Sequence, residues 1–183
     1  MAELPTEPRR LKNGILRPVT VADAALVVEL RSQPRARRFL GHTSGDVDAQ
    51  RAWLEAYQAR HSRGEDYYFR LDDAETGRAA VLFRIYEVVP AQHFTWGSWI
   101  AAPDAPAWAA MASWLASFDF GFFQLRCPTA FFRTMTDNVK TLSFMQRFNS
   151  KHLHTAEGHE HFSLEAATYY EASLAFQKFF ANP

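Results

Sequence analysis

The stretch at 94–118, FTWGSWIAAPDAPAWAAMASWLASF, changes its period in the middle. Its first residues alternate aromatic and β-branched side chains with small ones, as a strand does. From about Ala105 to Phe122, Trp108, Met111, Ala112, Leu115 and Phe122 fall at helical spacing. Much of the other face of that helix is apolar as well, so it must be well buried, and a sheet is the surface that would bury it. A strand joined through a proline-containing loop to a buried helix is the unit from which the rest of the fold is built.

On the upstream side, YYFRL, AAVLFRIYEVV and HFTWGSWIA are aromatic and β-branched runs separated by turn residues, DDAETG among them, and read as a strand meander. GILRPVT is a further strand. Thr20 and Asp23 form a capping-box-like start for a helix over VADAALVVELR, with Leu26, Val27 and Leu30 as its stripe. Asp46 or Asp48 caps a second helix running to about His61, which sets Trp53 and Tyr57 four apart on one face. Residues 1–12 are polar, contain prolines and show no periodicity, so they are expected to be a flexible arm ahead of a single domain over 13–183. Downstream, PTAFFRTMT reads as a strand, Asp137 or Asn138 caps a helix over VKTLSFMQRF, HLHTAEGHEHFSLEAATYY reads as a closing hairpin, and EASLAFQKFF as a short terminal helix. The expected fold is α/β (α+β): a mixed, mostly antiparallel twisted sheet of about six to seven strands flanked by about four helices.

Composition narrows the class. With 183 residues, 48% of them apolar, the chain can bury one sizeable core but not two. Twenty basic residues balance twenty acidic ones, so net charge gives no reason to expect nucleic acid or an anionic membrane as a partner. Cys127 is the single cysteine and the opening MAELPTEPRRLKNG has no apolar core, which together suggest the cytoplasm. The apolar run around Trp108 is interrupted by Ser113, Ser117 and Asp119, so no run of about 18 apolar residues could span a bilayer.

The element order, with TDNVKTLSFMQRFNS as a late strand-to-helix segment, resembles the GNAT superfamily of acyl-CoA N-acyltransferases over roughly residues 14–170. YYF, RIYE, FTWGSWI and NVKTLSFMQRF are most similar to members associated with nucleotide-sugar and surface-polysaccharide biosynthesis. The resemblance implies acetyl-CoA as cosubstrate, a primary amine of a small acceptor such as an amino sugar, and direct attack of that amine on the thioester. It implies that the strand at TWGSWIA splays from its neighbour and that the pantetheine pairs as a guest strand with Ile100, Ala101 and Ala102. The pyrophosphate would sit on amides of the helix start, Ala107, Trp108, Ala109 and Ala110, where the helix dipole favours negative charge. Asn138, Thr141 and Phe144 would complete the cosubstrate side. PDAPAWAAM departs from the family there, with no glycine and no basic residue.

A general base for the acceptor amine is expected at Glu87 or His93, at the ends of the two strands nearest the cleft. Arg84, Tyr86, Trp96 and Trp99 are expected to line the acceptor pocket, the aromatics by stacking on a sugar or base. Many family members place a tyrosine seven residues after the asparagine to protonate the leaving thiolate; counting from Asn138 gives Met145, which cannot donate a proton. No metal is expected. The histidines of HLHTAEGHEH, if His154 and His159 flank a four-residue turn, put His152, His154, His159 and His161 on one face, but at a spacing that fits no metal motif. The alternative function is a GNAT-fold binding or assembly module without chemistry, and a homodimer through the C-terminal strands suits either reading.

Overall fold

In a computed structural model that describes residues 8–40 and 44–179, with backbone alone at 177–179, one eight-stranded sheet runs through the chain in the order β1-β2-β3-β4-β5-β6-β8-β7. The strands are β1 Arg9–Arg10, β2 Gly14–Pro18, β3 Asp66–Asp73, β4 Ala79–Val89, β5 His93–Ala101, β6 Thr129–Met135, β7 Lys151–Ala156 and β8 His159–Glu165. Every neighbouring pair is antiparallel except β5 and β6, which are parallel and are joined by a helical crossover, as parallel strands require. The helices are α1 Ala24–Ser32, α2 Pro34–Leu40, α3 Val47–Ser62, α4 Ala107–Asp119, α5 Val139–Gln146 and α6 Ala166–Ser173.

The sheet divides two cores. On one face α4 supplies Ala109, Met111, Ala112, Trp114, Leu115 and Phe118 to a large aromatic cluster that also takes Met145 from α5, Phe148 just after it and Tyr169 from α6. The two serines that interrupt the apolar run of α4 are fully buried without penalty: Ser113 and Ser117 donate to the carbonyls of Ala110 and Trp114, at 3.0 and 2.7 Å. The opposite face carries a smaller cluster in which Val27, Leu30, Ala36, Leu54 and Tyr57 from α1 to α3 cover Tyr68, Leu82 and Ile100 of the sheet.

Local chemistry sets the helix starts as expected. The Thr20 N–H donates to the Asp23 carboxylate at 2.8 Å ahead of α1, and the Asp46 carboxylate accepts from Asp48 and Ala49 amides at the start of α3.

Several boundaries differ from expectation. Arg9 and Arg10 pair with β2 and Leu11 is buried in the large core, so the part of the expected arm at 8–12 is held by the sheet; residues 1–7 lie outside the described residues. That strand brings the sheet to eight. α2 has no sequence stripe, with Ala36 alone buried in an arginine-rich helix, and opens on Pro34, whose fixed φ suits a first turn. α4 is shorter than 105–122: it begins after Pro106 and passes into a π-helical turn, Phe120–Gln124, which brings the Cα of Gly121 against the ring of Phe94. The closing hairpin ends at Glu165 and AATYY is helical. Its turn is the two residues Glu157 and Gly158, both at positive φ as a type I′ turn demands, and not four residues.

Candidate active site

β5 and β6 pair over three residues only, His93, Phe94 and Thr95 against Thr129, Ala130 and Phe131. Beyond Thr95 they diverge, leaving the β6-facing edge of β5 from Trp96 to Ala101 without a strand partner. An unpaired edge in the middle of a sheet is a template for an extended guest chain. The gap opens into a cavity of about 550 Å³ walled by α2, by that free edge, by Arg133, Thr134 and Met135 of β6, and by Asn138 and Thr141 at the start of α5.

Two one-residue bulges shape β5 and its neighbour. Leu82 and Arg84 face Ile100 and Gly97, so β5 carries one extra residue, and Ser98 absorbs it at φ 51°. Tyr86 and Val89 face Thr95 and His93, so β4 carries the second extra residue, with Glu87 at φ 52°. The first bulge reverses the alternation of β5: Trp96 and Trp99, three apart, both turn to the α4 face. Trp96 is buried among Trp114, Phe118 and Phe132, and the Trp99 indole donates to Ser113 at 3.0 Å.

Those two indoles therefore pack against the core, while both residues also belong to the lining of the larger cavity. Tyr86 stays on the opposite face, where its ring lies over Gly97; a Cβ there would come within 3.1 Å of the Tyr86 hydroxyl. Burial pushes the Tyr86 hydroxyl above its usual range, and the nearby Glu87 charge adds to this, so the phenol remains protonated. Arg84 is committed elsewhere. It bonds the buried Asp66 at 2.5 and 3.2 Å, a carboxylate shared with Arg60, and its guanidinium lies over the rings of Trp53 and Tyr86. It lines a second cavity of about 290 Å³ that meets the first at Ser98.

Of the residues expected to meet the cosubstrate, Ile100 and Ala101 line the gap. Ala102 does not offer free backbone groups: its N–H donates to Ala80 and its carbonyl accepts from Ala105. At the start of α4 the expected four amides reduce to two. The Ala109 N–H is taken by the Pro106 carbonyl at 2.9 Å, and helical geometry directs the Ala110 N–H to the same carbonyl, which leaves Ala107 and Trp108. Ala109 is fully buried and Trp108 and Ala110 are half-buried, so Ala107 is the exposed side chain there. Asn138 caps α5, its side-chain oxygen accepting from the Thr141 amide at 3.4 Å, and both residues line the cavity. Phe144 packs on Trp114 and Phe148 instead, and Met145 is buried in the core.

Neither expected base lines the cavity. The bulge turns the Glu87 carboxylate back onto the Thr95 hydroxyl at 2.8 Å, and His93 stands edge-on to Phe131 at the paired end of β5 and β6. The register of β7 slips at Leu153, which separates the histidines: His154 stacks on His161, His159 follows on the same face of β8, and His152 bonds Glu160 on the other. Burial, reinforced by His154 and Arg133, lowers the His161 pKa. Among the described residues no cluster of three or more potential ligands could hold a metal ion. Sequence reasoning missed Arg35 and Arg38 of α2, Arg133 of β6 and Ser98, and considered His159 only as part of the histidine set; all five line the larger cavity. For Arg133 a signal existed, since it shares the outward parity of Phe131.

A family model described as an acetyltransferase (GNAT) domain matches residues 14–151. No curated protein matches the sequence. Among solved structures, the apo form of FdhC, a nucleotide-linked sugar GNAT, superposes with a TM-score of 0.86 at 24% identity, covering 96% of this chain and 99% of that one. RimJ of Mycobacterium smegmatis in complex with CoA-disulfide gives 0.74 at 16% identity, covering 93% of each chain. The spermidine N-acetyltransferase of Vibrio cholerae in complex with CoA and spermine gives 0.70 at 13%, covering 86% of this chain and 98% of that one. At such identities the superpositions speak to fold. The matched domain covers most of the chain and contains the strand gap described above, and the protein belongs to the GNAT acetyltransferase family, an enzyme of acetyl transfer to nitrogen.

Proposed function

We propose that the protein transfers the acetyl group of acetyl-CoA to the primary amine of a small acceptor, an amino sugar or a nucleotide-linked amino sugar. The observation that carries this reading is the free edge of β5 from Trp96 to Ala101, which bounds a cavity large enough for a small ligand and runs toward the start of α4. Pantetheine amides would pair with Gly97 to Ala101, and the diphosphate would accept from the Ala107 and Trp108 amides. Asn138 and Thr141 form the far wall. The thioester then lies toward the point where β5 and β6 meet, within reach of the Tyr86 side.

The chemistry needs a neutral amine nitrogen to attack the thioester carbon, the C–S bond to break, one proton to leave the nitrogen and one to reach the thiolate sulfur. Met145 is buried and cannot supply the second proton. Tyr86, protonated and lining the cavity, is the donor we assign. Glu87, adjacent in the chain and held by Thr95, accepts the amine proton through intervening water, and His93 has no part in this scheme. The amino-sugar acceptor draws on the likeness to FdhC, described as a nucleotide-linked sugar GNAT.

Calorimetric titration with acetyl-CoA, dephospho-CoA and pantetheine tests the cosubstrate side. Micromolar binding of acetyl-CoA that weakens as phosphates are removed is expected. An absence of binding up to millimolar concentration would overturn the reading.

A further inference from the structure

The larger cavity is charged with one sign. Arg35, Arg38 and Arg133 line it and no carboxylate does. Arg38 is compensated by Asp137 at 2.5 Å, but among the described residues Arg35 and Arg133 have no carboxylate partner. That separates them from Arg17, Arg60, Arg70 and Arg84 of this side of the sheet. Arg17 and Arg70 are paired with Asp23 and Asp72, and Arg60 and Arg84 with Asp66. Two uncompensated guanidinium groups facing one concave space attract an anion, and their planar donor forks suit phosphate oxygens.

The sheet indicates which ligand brings that anion. α2 belongs to the small core, with Ala36 packed beside Val27 and Leu30, whereas α4 and its free amides belong to the large core on the opposite face. Arg133 alternates with the buried Phe132 and Thr134 of β6 and so points away from the large core, its charge reaching Tyr86 and His161. A phosphate between Arg35 and Arg133 is therefore on the other side of the sheet from a diphosphate at α4.

We propose that the acceptor amine is attached to a phosphate or diphosphate, gripped between Arg35 of α2 and Arg133 of β6, which directs the amine toward Tyr86 and the free edge of β5. This rests on the acetyltransferase reading above and specifies its substrate class: an anionic, phosphate-bearing amine is selected, and a polyamine is repelled.

The test titrates the protein, saturated with CoA, with UDP, dTDP, GDP and inorganic pyrophosphate, and compares wild type with the Arg35→Gln/Arg133→Gln double variant. Both side chains are exposed, so the variant should fold. Wild type is expected to bind at least one nucleoside diphosphate without displacing CoA. The double variant is expected to lose about 10- to 100-fold of that affinity or more, the size of lost charged hydrogen bonds, while its acetyl-CoA affinity is unchanged. Spermidine should neither bind nor be acetylated. If acetyl-CoA itself fails to bind wild type, the acetyltransferase reading falls. If acetyl-CoA binds but no diphosphate does, or the double variant binds diphosphate as wild type does, this inference falls alone. Loss of acetyl-CoA affinity in the double variant would overturn it by assigning the arginines to the cosubstrate.

Discussion

Ala107 allows the start of α4 to be tested with one side chain and two readouts of opposite sign. It is the first helical residue, exposed, in a first turn that contains no acidic residue, and its amide is one of the two left for phosphate. In Ala107→Glu the carboxylate meets the positive end of the helix dipole, which stabilises the free protein by about 0.3–1 kcal/mol, or about 1–3 °C in Tm at this chain length. The same charge would lie ~7 Å from a diphosphate carrying about two negative charges; at an effective dielectric of about 60 the repulsion is about 1.6 kcal/mol, and salt at physiological strength cuts it to under half. Acetyl-CoA affinity should therefore fall about threefold, while Ala107→Lys should lower Tm slightly and bind about threefold tighter, a spread of about tenfold that widens at low salt. Differential scanning calorimetry and titration in 20 and 200 mM salt, buffer conditions chosen to bracket the screening, read both effects. If Tm moves as described while Glu and Lys variants bind acetyl-CoA equally at low salt, the phosphate is not at this helix. Ala109→Glu would not serve, because Ala109 has no exposed surface and a carboxylate there would disrupt the core.

Two further substitutions test the scaffold. Burial alone would raise the Asp23 pKa, but bonds from Arg17, the Thr20 amide and Arg70 outweigh it and hold the carboxyl at about 2. A folded-state pKa depressed from 3.8 contributes about 2 kcal/mol at neutral pH, present above about pH 4 and lost as pH falls through 2, so Asp23→Asn should be less stable at pH 7 by at least that much. Urea unfolding should show the gap narrowing between pH 4 and 2; a gap independent of pH would remove the ion-pair account. In Gly121→Ala the new Cβ would stand 2.2 Å from the Phe94 ring, which is fully buried between Phe118 and Phe122, and a cost of about 1–3 kcal/mol or more is expected. A Tm within 1 °C of wild type, on the scale of about 2–4 °C per kcal/mol, would mean that the π-helical turn adjusts freely.

What the sequence made legible was what neighbouring residues decide among themselves. The period change at 94–118, the turn residues between the meander strands, and the caps at Thr20, Asp46 and Asn138 are each written within about four residues, and each is realised. The site depends on events without such a signature. The Ser98 bulge places a non-glycine residue at positive φ with nothing local to announce it, and it alone moves Trp99 from an acceptor-facing to a core-facing position. The Leu153 slip does the same to the histidine set. Arg35 and Arg133 are remote in sequence and meet only because α2 folds over the gap between β5 and β6, a juxtaposition that no periodicity encodes. The loop ahead of α4 was legible in position, but its amide inventory required knowing that Pro106 is the cap.

The sheet also divides the chain as text. Among the described residues, the helices on the face proposed above to take the acceptor, α1 to α3, are written before residue 63, and those on the other face, α4 to α6, after residue 106. Under that proposal, descendants of this gene can rewrite the first block, exchanging what the enzyme modifies, while inheriting the second, which would keep what it modifies with. The strands between are the shared spine that both blocks must continue to fit.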